Sequence, residues 1–396
     1  MKAKASDELG GQRPATIGIH AGSPKPLRGA PVVLPIVQSA TFFGGAGEPA
    51  SELLYSRYGN NPNQALVGEK MAALEGTEAS LLLSSGMSAI AMTILAALPE
   101  GGHVVASRHL YGATRTLLER ELPRRGISTT LIDPESREDW EGALTPQTGM
   151  LLLEVPANPT LRVFDLQVPA EIARDREILL AVDGTFASPA NIRFAALGVG
   201  AVVHSATKYL GGHSDLIGGV VSGSRELIER VRGMMKLYGP APDPHMAWLL
   251  DRGLKTLHMR VAQHNRNAME LARWFLGREG ILEVHYPGLP EHPDHAVASE
   301  IMSGFGGMLA IVLEGGGVAA DAFASALEVA LVAPSLGGVE TLVSQPRHTS
   351  HIHFSESMRV GIGIPDGFIR ISIGLEDVED LKDDFGQALE ALQLKS

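Results

Sequence analysis

Cysteine is absent from all 396 residues, which excludes disulfides, thiolate nucleophiles and cysteine-ligated metals. Basic residues are outnumbered too: 33 Lys and Arg stand against 45 Asp and Glu, a net charge of −12. No basic block or aromatic-interleaved basic stripe offsets that balance, which argues against nucleic acid and anionic membrane as partners. No uncharged apolar run reaches the roughly 20 residues that a membrane-spanning helix needs. The polar stretch from Met1 to Gly11 lacks the apolar core of a secretory signal. The expected location is therefore the cytoplasm. What is present is ordinary for a globular protein, with 44% hydrophobic and 20% charged residues, and the length suffices for two domains.

Residues 1–60 read as an extended arm in which Gly, Pro and polar residues interrupt apolar patches such as Val32 to Ile36. Beyond it, Val67, Met71 and Leu74 fall on one helical face, and Gly76 stands where a C-terminal cap belongs. A strand from Ser80 to Leu83 turns through Ser84-Ser85-Gly86 into a helix that Pro99 ends. Apolar strands are predicted at 104–106, 150–155, 178–182, 202–203 and 218–222, and Tyr111 to Leu122 reads as helical. Near-continuous apolar strands alternating with helices predict an α/β domain over 61–250, its mostly parallel sheet buried on both faces. Past residue 250 the pattern changes. A long helix from Asp251 to Leu276 precedes a strand from Gly307 to Leu313, a helix from Ala319, a strand from Phe368 to Ser372 and a helix from Asp377 to Leu392. These describe a smaller α+β domain over 251–396.

The most informative stretch is Val202-Val203-His204-Ser205-Ala206-Thr207-Lys208, a β-branched run that ends in two hydroxyls and an amine. A lysine is usually a surface charge. Two hydroxyls and an amine at one strand end also suit a phosphate-bearing aldehyde that forms a Schiff base, the chemistry of pyridoxal phosphate. Ligands bind at the carboxyl ends of strands in such sheets, where Glu154, Asn158, Asp183 and Thr185 also fall. Any one of these residues suits a helix cap or a turn. Asp183, closing an apolar strand, needs a cationic partner, and a protonated pyridine nitrogen is one. Ser85, Gly86 and Met87 at a helix N-terminus form an ordinary cap or a phosphate cradle.

Arg57, between Tyr55 and Tyr58, is either a surface residue or a phosphate ligand. An arm cannot easily fold back over its own sheet, which points Arg57 to a neighbouring subunit. Tyr111 either packs or stacks on a cofactor ring, and Arg370 pairs with a structural carboxylate or with that of a substrate. His348, His351 and His353 lack the carboxylates of a metal site, so no metal is expected. A dinucleotide-binding oxidoreductase would carry a Gly-x-Gly-x-x-Gly turn after its first strand; the first half of the chain has no convincing one.

Taken together, these residues resemble the Cys/Met-metabolism PLP-dependent enzymes. The likeness runs through Tyr55-Ser56-Arg57-Tyr58, Ser85-Gly86-Met87, Tyr111-Gly112, Glu154-Val155-Pro156-Ala157-Asn158-Pro159, Ser205-Ala206-Thr207-Lys208, Ser335-Leu336-Gly337-Gly338 and Arg370-Ile371-Ser372. It implies a fold-type-I enzyme with a seven-stranded sheet, assembled as a homotetramer of catalytic dimers and acting on an amino-acid substrate. Lys208 would carry the cofactor and Asp183 its ring nitrogen. Ser85, Gly86, Met87, Ser205 and Thr207 would bind phosphate, with Tyr55 and Arg57 from the adjacent subunit. Asn158 would bond the phenolic oxygen, Tyr111 would stack and transfer protons, and Ser335 and Arg370 would hold the substrate carboxylate. The implied reaction is γ-replacement or γ-elimination on cystathionine or an O-acyl-homoserine. Methionine γ-lyase and O-acetylhomoserine sulfhydrylase chemistry are the alternatives within the family. Departures from the family pattern fall at Ala113, at Met235-Lys236, at Pro334 and at Arg347, where a charge near the substrate entrance is expected.

Overall fold

The computed structural model describes residues 12–24, 27–45, 54–350, 352 and 354–393. Two sheets organise them. The larger contains β1 (Ala79–Leu83), β2 (His103–Ser107), β3 (Ser128–Ile132), β4 (Thr148–Glu154), β5 (Leu179–Asp183), β6 (Ala201–Ser205) and β7 (Gly219–Gly223). Its order is β1-β7-β6-β5-β4-β2-β3. The run from β6 to β3 is parallel, while β7 is antiparallel to both β6 and β1. The seven-stranded, mostly parallel α/β expectation is met. Parallel strands need crossovers, and the intervening helices cover both faces: Leu152, Ala181 and Val203 pack on one side, Leu151, Val182 and Val202 on the other.

Buried polar groups pin the strand register where apolar packing alone does not distinguish one slip from another. His103 bonds Thr148 Oγ1 at 2.7 Å and Thr130 Oγ1 at 2.9 Å, tying β2 to both of its neighbours. Ser80 and Ser222, directly opposite in register, share a hydrogen bond of 2.6 Å across β1 and β7. Strand β3, Ser-Thr-Thr-Leu-Ile, escapes a hydrophobicity reading because it lies on the sheet edge and is largely polar.

The second sheet, β10-β11-β12-β9-β8, comprises β8 (Ile281–His285), β9 (Met308–Leu313), β10 (Leu331–Val332), β11 (Leu342–Ser344) and β12 (Phe368–Ser372). The helix expected over 251–276 is two helices, Pro244–Leu254 and Leu257–Phe275. Asp243 caps the first through the N–H groups of His245 and Met246. The break follows from Arg260, whose buried guanidinium donates to the carbonyl of Gly253 at 2.8 Å and to that of Tyr209 at 2.8 Å. That Gly253 carbonyl also accepts from Thr256 N–H, a 3₁₀-type closure. Residue 250 falls inside the first of these helices, which Asp251 ties to Lys70 by a buried ion pair of 2.6 Å. The helix read over 111–122 begins at Gly112 and passes at Leu117–Glu121 into a π turn.

The N-terminal arm is anchored where it meets the helix Pro62–Glu75. Asn61 donates to the carbonyl of Val37 at 2.7 Å, and Asn63 to that of Pro35 at 3.0 Å. On either side of the Pro35 and Val37 anchor points the arm keeps Val32 and Phe43 fully exposed.

Candidate active site

The parallel strands β4, β5 and β6 end side by side, and each ends in a group of chemical interest. Glu154 and Asp183 are register partners at the ends of β4 and β5, and Ser205 closes β6. A cavity of about 660 Å³ opens over these ends. It is lined by Ser85, Gly86, Met87, Tyr111, Asn158, Asp183, Ser205, Thr207, Lys208, Ser335 and Arg370. Eleven residues expected at one site thus meet there. Tyr55 and Arg57 do not: Arg57 donates to the carbonyl of Lys236 at 2.6 Å and lies exposed against the rings of Tyr55 and Tyr58.

Lys208 sits on the turn after β6, closed by Gly212 N–H to the Lys208 carbonyl. Its Nζ donates to Ser335 Oγ at 2.7 Å. Burial, aided by the positive charge of Arg370, lowers its pKa from 10.5 to about 8. Arg370 projects from β12 and donates to Asn158 Oδ1 at 3.0 Å and to the Ser335 carbonyl at 2.9 Å. Burial lowers its pKa to about 10. Among the described residues it has no ion-pair partner, and its buried Nε has no hydrogen bond. A buried guanidinium in that condition suits an incoming carboxylate.

Asp183 Oδ1 accepts from both the N–H (3.0 Å) and the hydroxyl (2.5 Å) of Thr185. Burial raises the Asp183 pKa, and the Thr185 hydrogen bonds act against that rise. Thr185 also accepts from Ser205 N–H at 2.8 Å, coupling the ends of β5 and β6. The helix Gly86–Ala97 begins beside this wall, capped by Ser85, and its first N–H groups have no intrahelical acceptor. A Cβ on Gly86 would lie 2.7 Å from Ser205 Cβ, and one on Gly219 would lie 2.0 Å from the Ser85 carbonyl oxygen. Glycine at both positions lets that helix start reach the hydroxyl wall.

These groups fit pyridoxal phosphate. The helix start with Ser205 and Thr207 suits a dianionic phosphate. Asp183 Oδ2, with no hydrogen bond among the described residues, suits a ring cation, and the acidified amine of Lys208 suits the aldehyde.

Glu154 and Thr185, without assigned roles in the sequence reading, prove central to the hydrogen bonding. Their only signal was a polar residue directly at or after an apolar strand. Pro334 lines the cavity, while Ala113 lines a neighbouring one of about 460 Å³ that shares Tyr111, Thr349 and Ser350. Arg347 corrects an expectation. It pairs with Asp321 at 2.5 Å and donates to the Gly317 carbonyl at 2.8 Å, outside both cavities, so its charge is spent on the Gly316–Ala326 helix. Lys236 lies over the Tyr58 ring. His348 bonds Asp321, whereas His351 and His353 lie outside the described residues. Among the described residues no group of His, Asp and Glu is arranged to hold a metal.

An acidified lysine and a carboxylate oxygen left without a hydrogen bond, lining one cavity on the carboxyl edge of a mostly parallel sheet, define a Schiff-base cofactor enzyme. The sequence profile of the Cys/Met metabolism PLP-dependent enzymes matches residues 15–390. Cystathionine gamma-synthase 1, chloroplastic, of Nicotiana tabacum is 38% identical over 392 residues, 95% of this chain and 72% of that protein. The L-methionine gamma-lyase of Fusobacterium nucleatum subsp. nucleatum is 38% identical over 388 residues, 95% of this chain and 98% of the lyase. The crystal structure of cystathionine gamma synthase from Xanthomonas oryzae pv. oryzae, in complex with aminoacrylate and cysteine, has a TM-score of 0.93 and 35% identity. That similarity covers 97% of this chain and 100% of the other. The chain belongs to the Cys/Met metabolism PLP-dependent enzyme family.

Proposed function

We propose that this enzyme catalyses γ-replacement or γ-elimination on cystathionine or an O-acyl-homoserine. The observation that carries this reading is the convergence of Lys208, Arg370 and Tyr111 on one cavity. Pyridoxal phosphate, when bound, supplies an aldehyde for an amine and a cationic ring that accepts the electron pair released at Cα. Lys208 and Asp183 would hold it, Ser85, Gly86, Met87, Ser205 and Thr207 would bind its phosphate, and Asn158, whose Oδ1 serves Arg370, has its amide N–H₂ to donate to the phenolic oxygen.

Arg370 and Ser335 fix the substrate carboxylate, which places the Cα proton toward Lys208. With a pKa of about 8, Lys208 is a competent base near neutral pH: it takes the proton from Cα, and only after passing that proton on is it free to take one from Cβ. Tyr111 closes the open side of the cavity and donates a proton to the departing γ-substituent. Pro334, an apolar residue in the cavity wall, favours as a second reading a short uncharged γ-substituent, as in methionine or O-acetylhomoserine.

We further propose that Tyr55 and Arg57 serve the cavity of a neighbouring subunit in a tetramer of catalytic dimers. Their position outside their own cavity, with Arg57 exposed, supports this, as do the exposed Val32 and Phe43 of the arm.

The test is spectroscopic and kinetic. Purified protein is expected to be yellow, with a visible band that borohydride bleaches while leaving Lys208 labelled. Steady-state rates with cystathionine, methionine and O-acyl-homoserine, with and without cysteine, then rank the substrates. Colourless protein that takes up no added pyridoxal phosphate, or a coloured enzyme inert on all three substrates, would overturn the proposal.

A further inference from the structure

Glu154 is a buried carboxylate with a costly neighbour, since its register partner Asp183 is a second buried carboxylate on the next strand. Two adjacent buried acids destabilise a fold unless something else requires them. Burial and the charge of Asp183 both push the Glu154 pKa well up, against two backbone N–H groups that hold it down. Those two donors are informative. Glu154 Oε2 accepts from the N–H of Tyr111 at 2.6 Å, and Oε1 accepts from the N–H of Asn158 at 2.8 Å. Asn158 then accepts from Arg370, Arg370 donates to the Ser335 carbonyl, and Ser335 accepts from Lys208. One hydrogen-bonded chain thus runs from Tyr111 to Lys208, and Glu154 is the member that grips Tyr111. Tyr111 needs that grip. It is half-exposed at the start of the short helix Gly112–Thr116, with no side-chain cap of its own.

We propose that Glu154 is a positioning residue that fixes Tyr111, and hence proton delivery to the departing γ-substituent, without taking part in Cα proton abstraction. This rests on the role given to Tyr111 above. The carboxylate is required because each of its two oxygens accepts one N–H, whereas an amide in its place presents a donor at one of the two positions.

The test compares two reactions of the holoenzyme. Elimination from the fastest of the three substrates ranked above needs both Lys208 and Tyr111. Exchange of the Cα proton of L-norleucine in deuterated water, followed by NMR, needs only Lys208. Glu154→Gln is expected to slow elimination about tenfold or more, leaving norleucine exchange and the visible cofactor band within about twofold. Equal losses in both reactions, or a loss in neither, would overturn the proposal. Tyr111→Phe is the reference: if it slows both reactions alike, the role of Tyr111 falls and this proposal with it. If it separates the two and Glu154→Gln does not, only the proposal falls. Should Glu154→Gln fail to fold, amide hydrogen exchange of the wild-type holoenzyme decides. The Tyr111 N–H is expected to be strongly protected, and exchange at the rate of an open loop would refute its anchoring.

Discussion

Lys208 Nζ and Ser335 Oγ meet at 2.7 Å although 127 residues separate them. Ser335 reaches that position with a φ of 99°, a conformation that non-glycine residues rarely adopt. Backbone strain of this kind costs about 1–3 kcal/mol and persists where the surroundings over-determine it. Here the surroundings are Arg370, bonded to the Ser335 carbonyl, and Lys208, bonded to its hydroxyl.

The lowered pKa of Lys208 makes a prediction for cofactor-free protein. Because the folded value is about 8 against an ordinary 10.5, the folded state binds fewer protons than the unfolded state between those limits. Stability therefore rises with pH from about 8 to 10.5, and the penalty is fully present below 8. Lys208→Met apoprotein should melt above wild type at pH 7 and lose this dependence. Acetylation of wild-type Lys208, followed by mass spectrometry, should reach half its maximal rate near pH 8.

Asp183→Asn should separate stability from cofactor binding. Burial disfavours the charge of Asp183, so the apoprotein should melt no lower than wild type. Pyridoxal phosphate affinity, read from the visible band, should fall about tenfold or more, since a neutral amide cannot pair with a ring cation.

Gly219→Ala tests the phosphate cradle from behind. Its Cβ would lie 2.0 Å from the Ser85 carbonyl oxygen, so the helix start must move. The expected cost is about 2 kcal/mol in urea unfolding, together with weaker retention of the cofactor on dialysis.

Arg347→Ala should be nearly silent in kinetics. Arg347 faces Asp321 and Gly317 rather than either cavity, so KM and kcat should stay within about twofold of wild type. Its partner Asp321 is half-exposed, which limits the stability loss to about 1 kcal/mol.

Subunit mixing tests the exposed arm. Arg57→Ala and Lys208→Ala proteins, each inactive alone, should regain activity after joint refolding, on the order of a quarter of wild type for random catalytic dimers. No recovery would place the action of Arg57 within its own chain.

Much of this was legible along the chain. Strand ends carrying Asp183, Ser205 and Lys208, and the Ser85-Gly86 helix start, follow from patterns of a few neighbouring residues. Those patterns set local dihedral preferences and decide which faces are buried. Strand β3 was not legible because an edge strand is not obliged to be apolar. The break after Leu254 was hidden because a buried arginine at 260 imposes it by bonding carbonyls at Tyr209 and Gly253.

The cofactor chemistry followed from the order of residues along the chain, since an amine, an acid, hydroxyls and glycines at strand ends satisfy few other ligands. Which side chains share the cavity, and in what order they bond, came from the packing of distant segments against one another. The pairing of Glu154 with Asp183 depends on the register of β4 against β5, and the turning of Arg347 depends on Asp321 in a separate helix. Such partners are chosen by packing between distant segments, where a shift of one residue reverses the face a side chain presents.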